Sequence, residues 1–243
     1  GVPGRPASSC GHINRAARDP GGASPAPAFV FLEREAHHGR PSRLRCARVP
    51  AYASDRSPRG APVTTAVPRR VLITGAGSGI GRATAVRLAT GRARVALAGR
   101  DRARLDETAA LCRAAGGAAL ALPVDVTRED AVRAALAAVG SAFGGLDGLV
   151  HSAGLARYAP LEETGIDLWN DVLAVNLTGA FLVTREALPW LARGDRPAVV
   201  MVASTVGLVG LRNASAYCAA KAGLVNFARA VAIEQAARGI RVN

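Results

Sequence analysis

From residue 68 onward, short apolar runs alternate with stretches in which apolar side chains recur every three or four positions. That texture is the pattern of repeated βα units around a parallel sheet. The short runs predict strands at 70–74, 94–98, 119–124, 146–151 and 198–203, and the periodic stretches predict helices near 80–90, 103–115, 129–143, 165–192 and 214–238. Right-handed crossovers between parallel strands distribute such helices over both faces of the sheet. An α/β fold with a doubly wound parallel sheet is therefore expected over residues 68–243. Ile240-Arg241-Val242-Asn243 reads as the opening of a sixth strand.

Residues 1–67 have a different texture. They are rich in Pro, Gly, Ala, Ser and Arg, hold no sustained period, and are interrupted by Asp19-Pro20-Gly21-Gly22 and Ser57-Pro58. A disordered extension is expected there. Arginine-rich and acid-poor, it resembles an organelle transit peptide, although a translated upstream stretch would read the same way. Ala28-Phe29-Val30-Phe31-Leu32 has strand character but no evident pairing partner nearby. The chain opens on Gly1 rather than methionine, as a processed or incomplete product would.

Composition narrows the classes of function. The 243 residues are 49% apolar, enough for one good-sized domain, and no apolar run looks long enough to span a bilayer, so a soluble, cytoplasmic protein is expected. Net charge is +13 but diffuse: residues 1–67 carry 10 arginines against 4 acids, and the remaining 21 basic and 14 acidic residues are spread along the rest. With aromatics at only 4%, there is no basic element interleaved with stacking rings, which argues against specific nucleic-acid binding. Cys10, Cys46, Cys112 and Cys218 form no Cys-x-x-Cys pair, and Cys10, His12, His37, His38 and Cys46 fit no common zinc spacing, so no metal is expected and the thiols read as reduced.

Two local patterns carry chemistry. Val71-Leu72-Ile73-Thr74 runs into Gly75-Ala76-Gly77-Ser78-Gly79-Ile80-Gly81 and then into a helix. A strand, a glycine-rich turn and a helix N-terminus form a phosphate cradle, because glycines admit close backbone approach and free N–H groups point at the anion. Its position after the first strand of an alternating chain predicts dinucleotide binding through Gly75, Ser78, Gly79, Ile80 and Gly81. Arg100, at the end of the second strand and with Arg82 as a helper, favours a ribose 2′-phosphate and hence NADP over NAD. Asp125-Val126, past the third strand, is placed for the adenine, although Asp125 also reads as a cap for the helix that follows.

The second pattern is Tyr217-Cys218-Ala219-Ala220-Lys221, in which Lys221 is the sole lysine among 31 basic residues. Positions i and i+4 share a helix face. An ammonium roughly 4–5 Å from a phenol at an effective dielectric near 20 is worth ~4 kcal/mol. That corresponds to about three pKa units, so Tyr217 is expected to approach neutrality and act as a general acid or base.

Together these residues resemble the short-chain dehydrogenase/reductases in their compact, single-domain, Rossmann-type form, similar to 3-oxoacyl-acyl-carrier-protein reductases. The likeness covers residues 69–243. Thr74-Gly75-x-x-x-Gly79-x-Gly81 resembles the family's cofactor motif, Asn176 in Val175-Asn176-Leu177 its active-site asparagine, and Ser204, 13 residues before Tyr217, its substrate-orienting serine. The resemblance implies hydride transfer between nicotinamide and a carbonyl or secondary alcohol. It gives Tyr217 the proton and Ser204 the substrate oxygen. Lys221 holds the nicotinamide ribose and lowers the tyrosine pKa, and Asn176 positions a water linking Lys221 to solvent. It also implies a homodimer or homotetramer, paired through the helices at 165–192 and 214–238.

Two departures stand out. His151-Ser152-Ala153-Gly154 replaces the family's common Asn-Asn-Ala-Gly; Ser152, Ala153 and Gly154 still suit cofactor binding, and His151 reads as structural or adenosine-side. Family members also continue past a sixth strand into a lid and a seventh strand that are not in this sequence, so the sheet is expected to lack its last strands. A non-catalytic dinucleotide-binding protein and an inactive truncated fragment are the alternative readings. The loop 155–160 and the run 206–212, with Arg157 and Arg212, are expected to line the substrate pocket.

Overall fold

The computed structural model describes residues 69–243, together with two two-residue strands, Phe29–Val30 and Ala47–Arg48, which pair antiparallel. That pairing corrects the expectation that the Phe29–Val30 strand has no partner. The disordered extension and the zinc-like residues otherwise lie outside the described residues.

A six-stranded parallel sheet forms the scaffold of residues 69–243. In chain order its elements are β1 Arg70–Thr74, α1 Gly79–Ala89, β2 Arg94–Gly99, α2 Arg102–Ala114, β3 Ala118–Pro123, α3 Glu129–Phe143, β4 Gly148–His151, α4 Ile166–Leu173, α5 Gly179–Leu191, β5 Ala198–Met201, α6 Ser215–Gln235 and β6 Arg241–Val242. The spatial order is β3-β2-β1-β4-β5-β6, with every neighbouring pair parallel. The sheet is thus doubly wound about the β1/β4 junction.

Alternation along the strands builds a core on each face. Val71, Ile73, Val95 and Leu97 point to one side, where they meet Ala85 and Ala89 of α1 and Leu105, Ala109 and Cys112 of α2. Leu72, Ala96 and Leu149 point to the other and pack with Val132 and Leu136 of α3, Leu182 and Val183 of α5, and Leu224 of α6. Small residues in α1 bring that helix close to the sheet, while Asp101 caps α2 by accepting the Arg104 N–H at 3.1 Å. At the N-terminal end of the sheet Asp147, 4% exposed, accepts Arg70 Nη2 at 2.6 Å and the backbone N–H groups of Arg70 and Asp195 at 3.0 and 2.8 Å.

The helix expected over 165–192 is not uniform. α4 and α5 are joined by a π turn at Ala174–Thr178, with no break in the chain direction. This continuity makes Ile166–Leu191 a 26-residue helix that is long and apolar enough, by length and composition, to cross a membrane, which overturns the expectation that no run reaches that length. Leu182, Val183, Ala187 and Leu191 are buried against the sheet and α3.

Candidate active site

At the C-terminal end of the sheet the strands on either side of the switch point are held together by one hydroxyl. Thr74 Oγ1, buried at the tip of β1, accepts the N–H groups of Ser152 and Ala153 after β4, both at 3.2 Å. The chain turns away immediately: Gly75 has φ +65°, and a Cβ there would stand 2.7 Å from the Ala153 nitrogen. Gly81 plays a different part from the one expected. Its missing side chain lets α1 seat on the turn, since a Cβ would collide with the Gly75 carbonyl oxygen, and Gly81 does not line the cleft.

Below the turn, α1 starts at Gly79 with Ser78 in the extended cap position and no side chain capping it. Its first-turn N–H groups are therefore orphan donors facing an open cleft. The cleft has two lobes that share Gly75, Ser78, Ala153, Gly154 and Leu155. One, of about 200 Å³, is lined by Arg100, Asp101, Arg104, Val124, Asp125 and Val126. The other, of about 340 Å³, is lined by Gly79, Ile80, Ser152, Val202, Ala203, Tyr217 and Lys221. Uncapped donors at the waist and a cradle that a Cβ would fill fit a pyrophosphate with a group on each side.

In the first lobe Asp125 is not the helix cap. Its Oδ1 accepts both the Thr127 N–H at 2.9 Å and the Thr127 hydroxyl at 2.8 Å, a closed Asx turn. Burial pushes its pKa up, but the two Thr127 hydrogen bonds and the Arg100 and Arg128 charges outweigh it, so the carboxyl stays below the usual range. Arg82 does not reach this lobe as a free cation: its guanidinium is bonded to Gly77, Glu107 and Thr108. Asp101 and Arg104 do line it, and neither stood out in the sequence; their positions one and four residues after Arg100, at the cap and in the first turn of α2, were the available signal.

In the second lobe α6 presents Tyr217 and Lys221 on one face. Lys221 is 4% exposed; its Nζ donates to the Val202 carbonyl at 2.8 Å and lies 5.7 Å from the Tyr217 ring centroid. Burial lowers the Lys221 pKa. Burial, helped by Tyr158, raises that of Tyr217, and the Ser204 hydroxyl draws it partly back. The expected fall of the tyrosine towards neutrality is therefore not met. The ammonium is engaged by the Val202 carbonyl, and desolvation of the phenolate dominates. Tyr158 closes one side of Tyr217 edge to face, with ring centroids 6.1 Å apart.

Asn176 sits in the π turn, 1% exposed, with its carboxamide fully engaged. Nδ2 donates to the carbonyls of Leu155 at 2.7 Å and Val172 at 2.8 Å, and Oδ1 accepts the Leu155 N–H at 3.3 Å. It fastens the loop that lines both lobes. A Cβ on Gly154 would lie 3.1 Å from Asn176 Oδ1 and 3.8 Å from Lys221 Nζ, so both side chains lie close against that glycine. His151 lies in the core with Nε2 2.8 Å from Thr184 Oγ1, and neither lobe includes it. Leu155 and Ala156 line the second lobe as expected; the run 206–212 does not, and Leu208, Val209 and Leu211 are exposed beyond it.

Comparison with known proteins agrees with this geometry. Residues 69–243 match the short chain dehydrogenase family. The chain belongs to that family. Among curated relatives, this short-chain dehydrogenase is similar to the cis-4-hydroxycyclohexanecarboxylate dehydrogenase of Sinomonas cyclohexanicum, with 43% identity over 72% of this chain and 70% of that protein. It is also similar to the D-threitol dehydrogenase of Mycolicibacterium smegmatis, with 40% identity over 71% and 66%. The chain thus spans about two thirds of the length of these relatives. Among solved structures it resembles a 3-ketoacyl-ACP reductase from Sinorhizobium meliloti 1021, at TM-score 0.69 and 40% identity over 72% of this chain and 69% of that one. An NAD+-bound xylitol dehydrogenase gives the same TM-score of 0.69 at 34% identity, over 72% and 68%. Family membership makes the chain an oxidoreductase of the type that uses a nicotinamide dinucleotide.

Proposed function

We propose that this short-chain dehydrogenase interconverts a small secondary alcohol and its carbonyl with NADP in preference to NAD, using Tyr217 as general acid and base. The observation that carries this reading is that Tyr217 and Lys221 open into the same cleft as the glycine turn and Ala153-Gly154. The dinucleotide, when bound, supplies or accepts hydride at its nicotinamide ring. Its pyrophosphate would be held by the N–H groups of Ser78, Gly79 and Ile80, its adenosine by Asp125 and Val126 with Arg100 at the ribose, and its nicotinamide end by Ser152, Ala153 and Gly154 with Lys221.

The chain's own groups handle the proton. Ser204 holds the substrate oxygen beside the phenol. A phenol kept above its ordinary pKa is protonated at neutral pH, so Tyr217 rests as a proton donor and the site is set for reduction. Lys221, anchored on Val202, holds a positive charge beside the ring face, and Asn176 fixes the loop that shapes the cleft. Arg157 pairs with Asp171 at 3.8 Å, and its loop joins that of Arg212 where the Ala159 N–H donates to the Asn213 carbonyl at 2.8 Å. Because one relative bears the name of a hydroxy-acid dehydrogenase, hydroxycycloalkane carboxylates and their keto acids head the substrate panel.

The protein is read as cytoplasmic and as a homodimer or homotetramer joined through α5 and α6, with no membrane and no specific nucleic-acid partner. Phe181, 41% exposed and edge to face with Phe227 of α6, belongs to the surface that this pairing would cover. Dinucleotide binding without turnover is the second reading. A relative from Xanthobacter autotrophicus, 42% identical over 62% of this chain, is named an inactive 2-(S)-hydroxypropyl-CoM dehydrogenase 2, so family likeness alone does not bring turnover. The complete set of Asn176, Ser204, Tyr217 and Lys221 favours the first. In Tyr217→Phe, carbonyl reduction should fall by about 10²–10⁴ while dinucleotide affinity is retained. A variant that keeps its rate overturns the assignment, and wild-type binding without any turnover selects the second reading.

A further inference from the structure

We propose that Arg82 is a positioning residue: it fastens the glycine turn to α2 and presets that turn for the dinucleotide's phosphates, an inference that rests on the cofactor reading above. Arg82 belongs to the first turn of α1, yet its side chain reaches backwards and sideways. Nη2 donates to the Gly77 carbonyl at 2.6 Å and to Glu107 Oε2 at 2.9 Å, while Nε donates to Thr108 Oγ1 at 3.0 Å. One planar guanidinium thus joins the apex of the turn to two successive residues of α2.

Each partner is arranged for this role. Thr108 is fully buried, and its own hydroxyl proton goes to the Arg104 carbonyl at 2.9 Å. Its oxygen therefore has only acceptor capacity left, which Arg82 fills. The first turn of α2 backs the same apex, with the Arg104 Cβ only 3.1 Å from where a Gly77 Cβ would stand. In a planar trans peptide the carbonyl of residue 77 and the N–H of residue 78 point in opposite directions. Holding the Gly77 oxygen towards Arg82 therefore fixes the direction of the Ser78 N–H, and Ser78 lines both lobes of the cleft. A turn so held loses less entropy when it closes on an anion. Glu107, 63% exposed, balances the cation and keeps it a clamp rather than a phosphate ligand.

This role differs from that of a 2′-phosphate contact and can be separated from it. In Arg82→Gln the KM for NADH and for NADPH should both rise about tenfold with kcat at saturation changed less than about twofold, the pattern of lost ground-state binding. Arg82→Lys should not restore affinity, because a single ammonium cannot bridge three acceptors in one plane. Without any ligand, the bonded N–H groups that flank the apex, Ala76 to the Ala98 carbonyl at 3.1 Å and Arg82 to the Ser78 carbonyl at 3.0 Å, should exchange hydrogen faster in Arg82→Gln and in Glu107→Gln than in wild type, while those of β1 stay protected. Loss confined to NADPH would make Arg82 a phosphate ligand. Unchanged exchange at the turn, or rescue by lysine, would make it an ordinary surface cation; either result overturns the proposal. Should wild type take up neither dinucleotide, the cofactor reading fails, and the exchange measurement alone still decides the clamp.

Discussion

Thr184 gives its own hydroxyl proton to the Ala180 carbonyl at 2.7 Å, which leaves it as the acceptor of His151 Nε2 at 2.8 Å and places a proton on that nitrogen. Burial alone pulls the His151 pKa from 6.5 to about 4. Its folded value lies below its unfolded value, so the stabilisation is present above pH 6.5 and is lost as pH falls towards 4. The loss amounts to about 3 kcal/mol over that window. In His151→Asn the unfolding midpoint in urea should fall less between pH 7 and pH 5 than in wild type. At Tyr217 the direction is opposite in consequence: burial raises the pKa, so reduction should be flat through neutrality and alcohol oxidation should climb as pH rises towards the raised phenol value, a profile that steady-state rates in both directions would check. The spacing of Tyr217 and Lys221 made their shared helix face readable from sequence. It could not show that a strand-end carbonyl takes the ammonium, because Val202 lies 19 residues away and meets Lys221 only through the packing of α6 on the sheet.

Among the elements, the π turn at Ala174–Thr178 was hidden because the helical period runs through it with neither proline nor an unfavourable cluster to mark it. The asparagine it carries was legible from its neighbours, but its duty was not. Three hydrogen bonds to backbone groups in α4 and in the loop after β4 depend on one carboxamide, two of them to buried or half-buried carbonyls. Asn176→Ala should therefore destabilise the fold by about 1–3 kcal/mol and loosen Leu155, measured as a lower thermal midpoint together with faster exchange of the Leu155 N–H. Gly81 is the corresponding case in α1. The motif showed that glycine stands there, and the structure shows that it serves helix seating rather than ligand contact. Gly81→Ala should cost about 1–3 kcal/mol by forcing α1 off the turn, and dinucleotide affinity should fall with it in a titration.

At the scale of the molecule, βα alternation was enough to read five strands, their intervening helices and the start of a sixth, since each apolar run is short and each helix amphipathic. Ion pairing between distant residues was not readable: Arg70 and Asp147 are 77 positions apart and meet only because β1 and β4 are neighbours in the sheet. Burial pushes the Asp147 pKa up, and its bonds to Arg70 and Asp195 more than offset this, so the carboxylate's contribution is lost only as pH falls through its lowered folded value. Breaking the pair with Asp147→Ala leaves Arg70 partly buried without its counter-charge and should lower unfolding free energy by about 3–5 kcal/mol in a denaturant titration.

The single hydroxyl of Thr74 that receives two N–H groups has a kinetic corollary. It ties the two central strands at the very place where the trench begins, so the trench cannot widen by parting the sheet without breaking both bonds at once. A long ligand must then come and go sideways, under the segments after β4 and β5. Its residence time should respond to the viscosity of the medium and to stiffening of those segments, and stay indifferent to changes in the strands beneath.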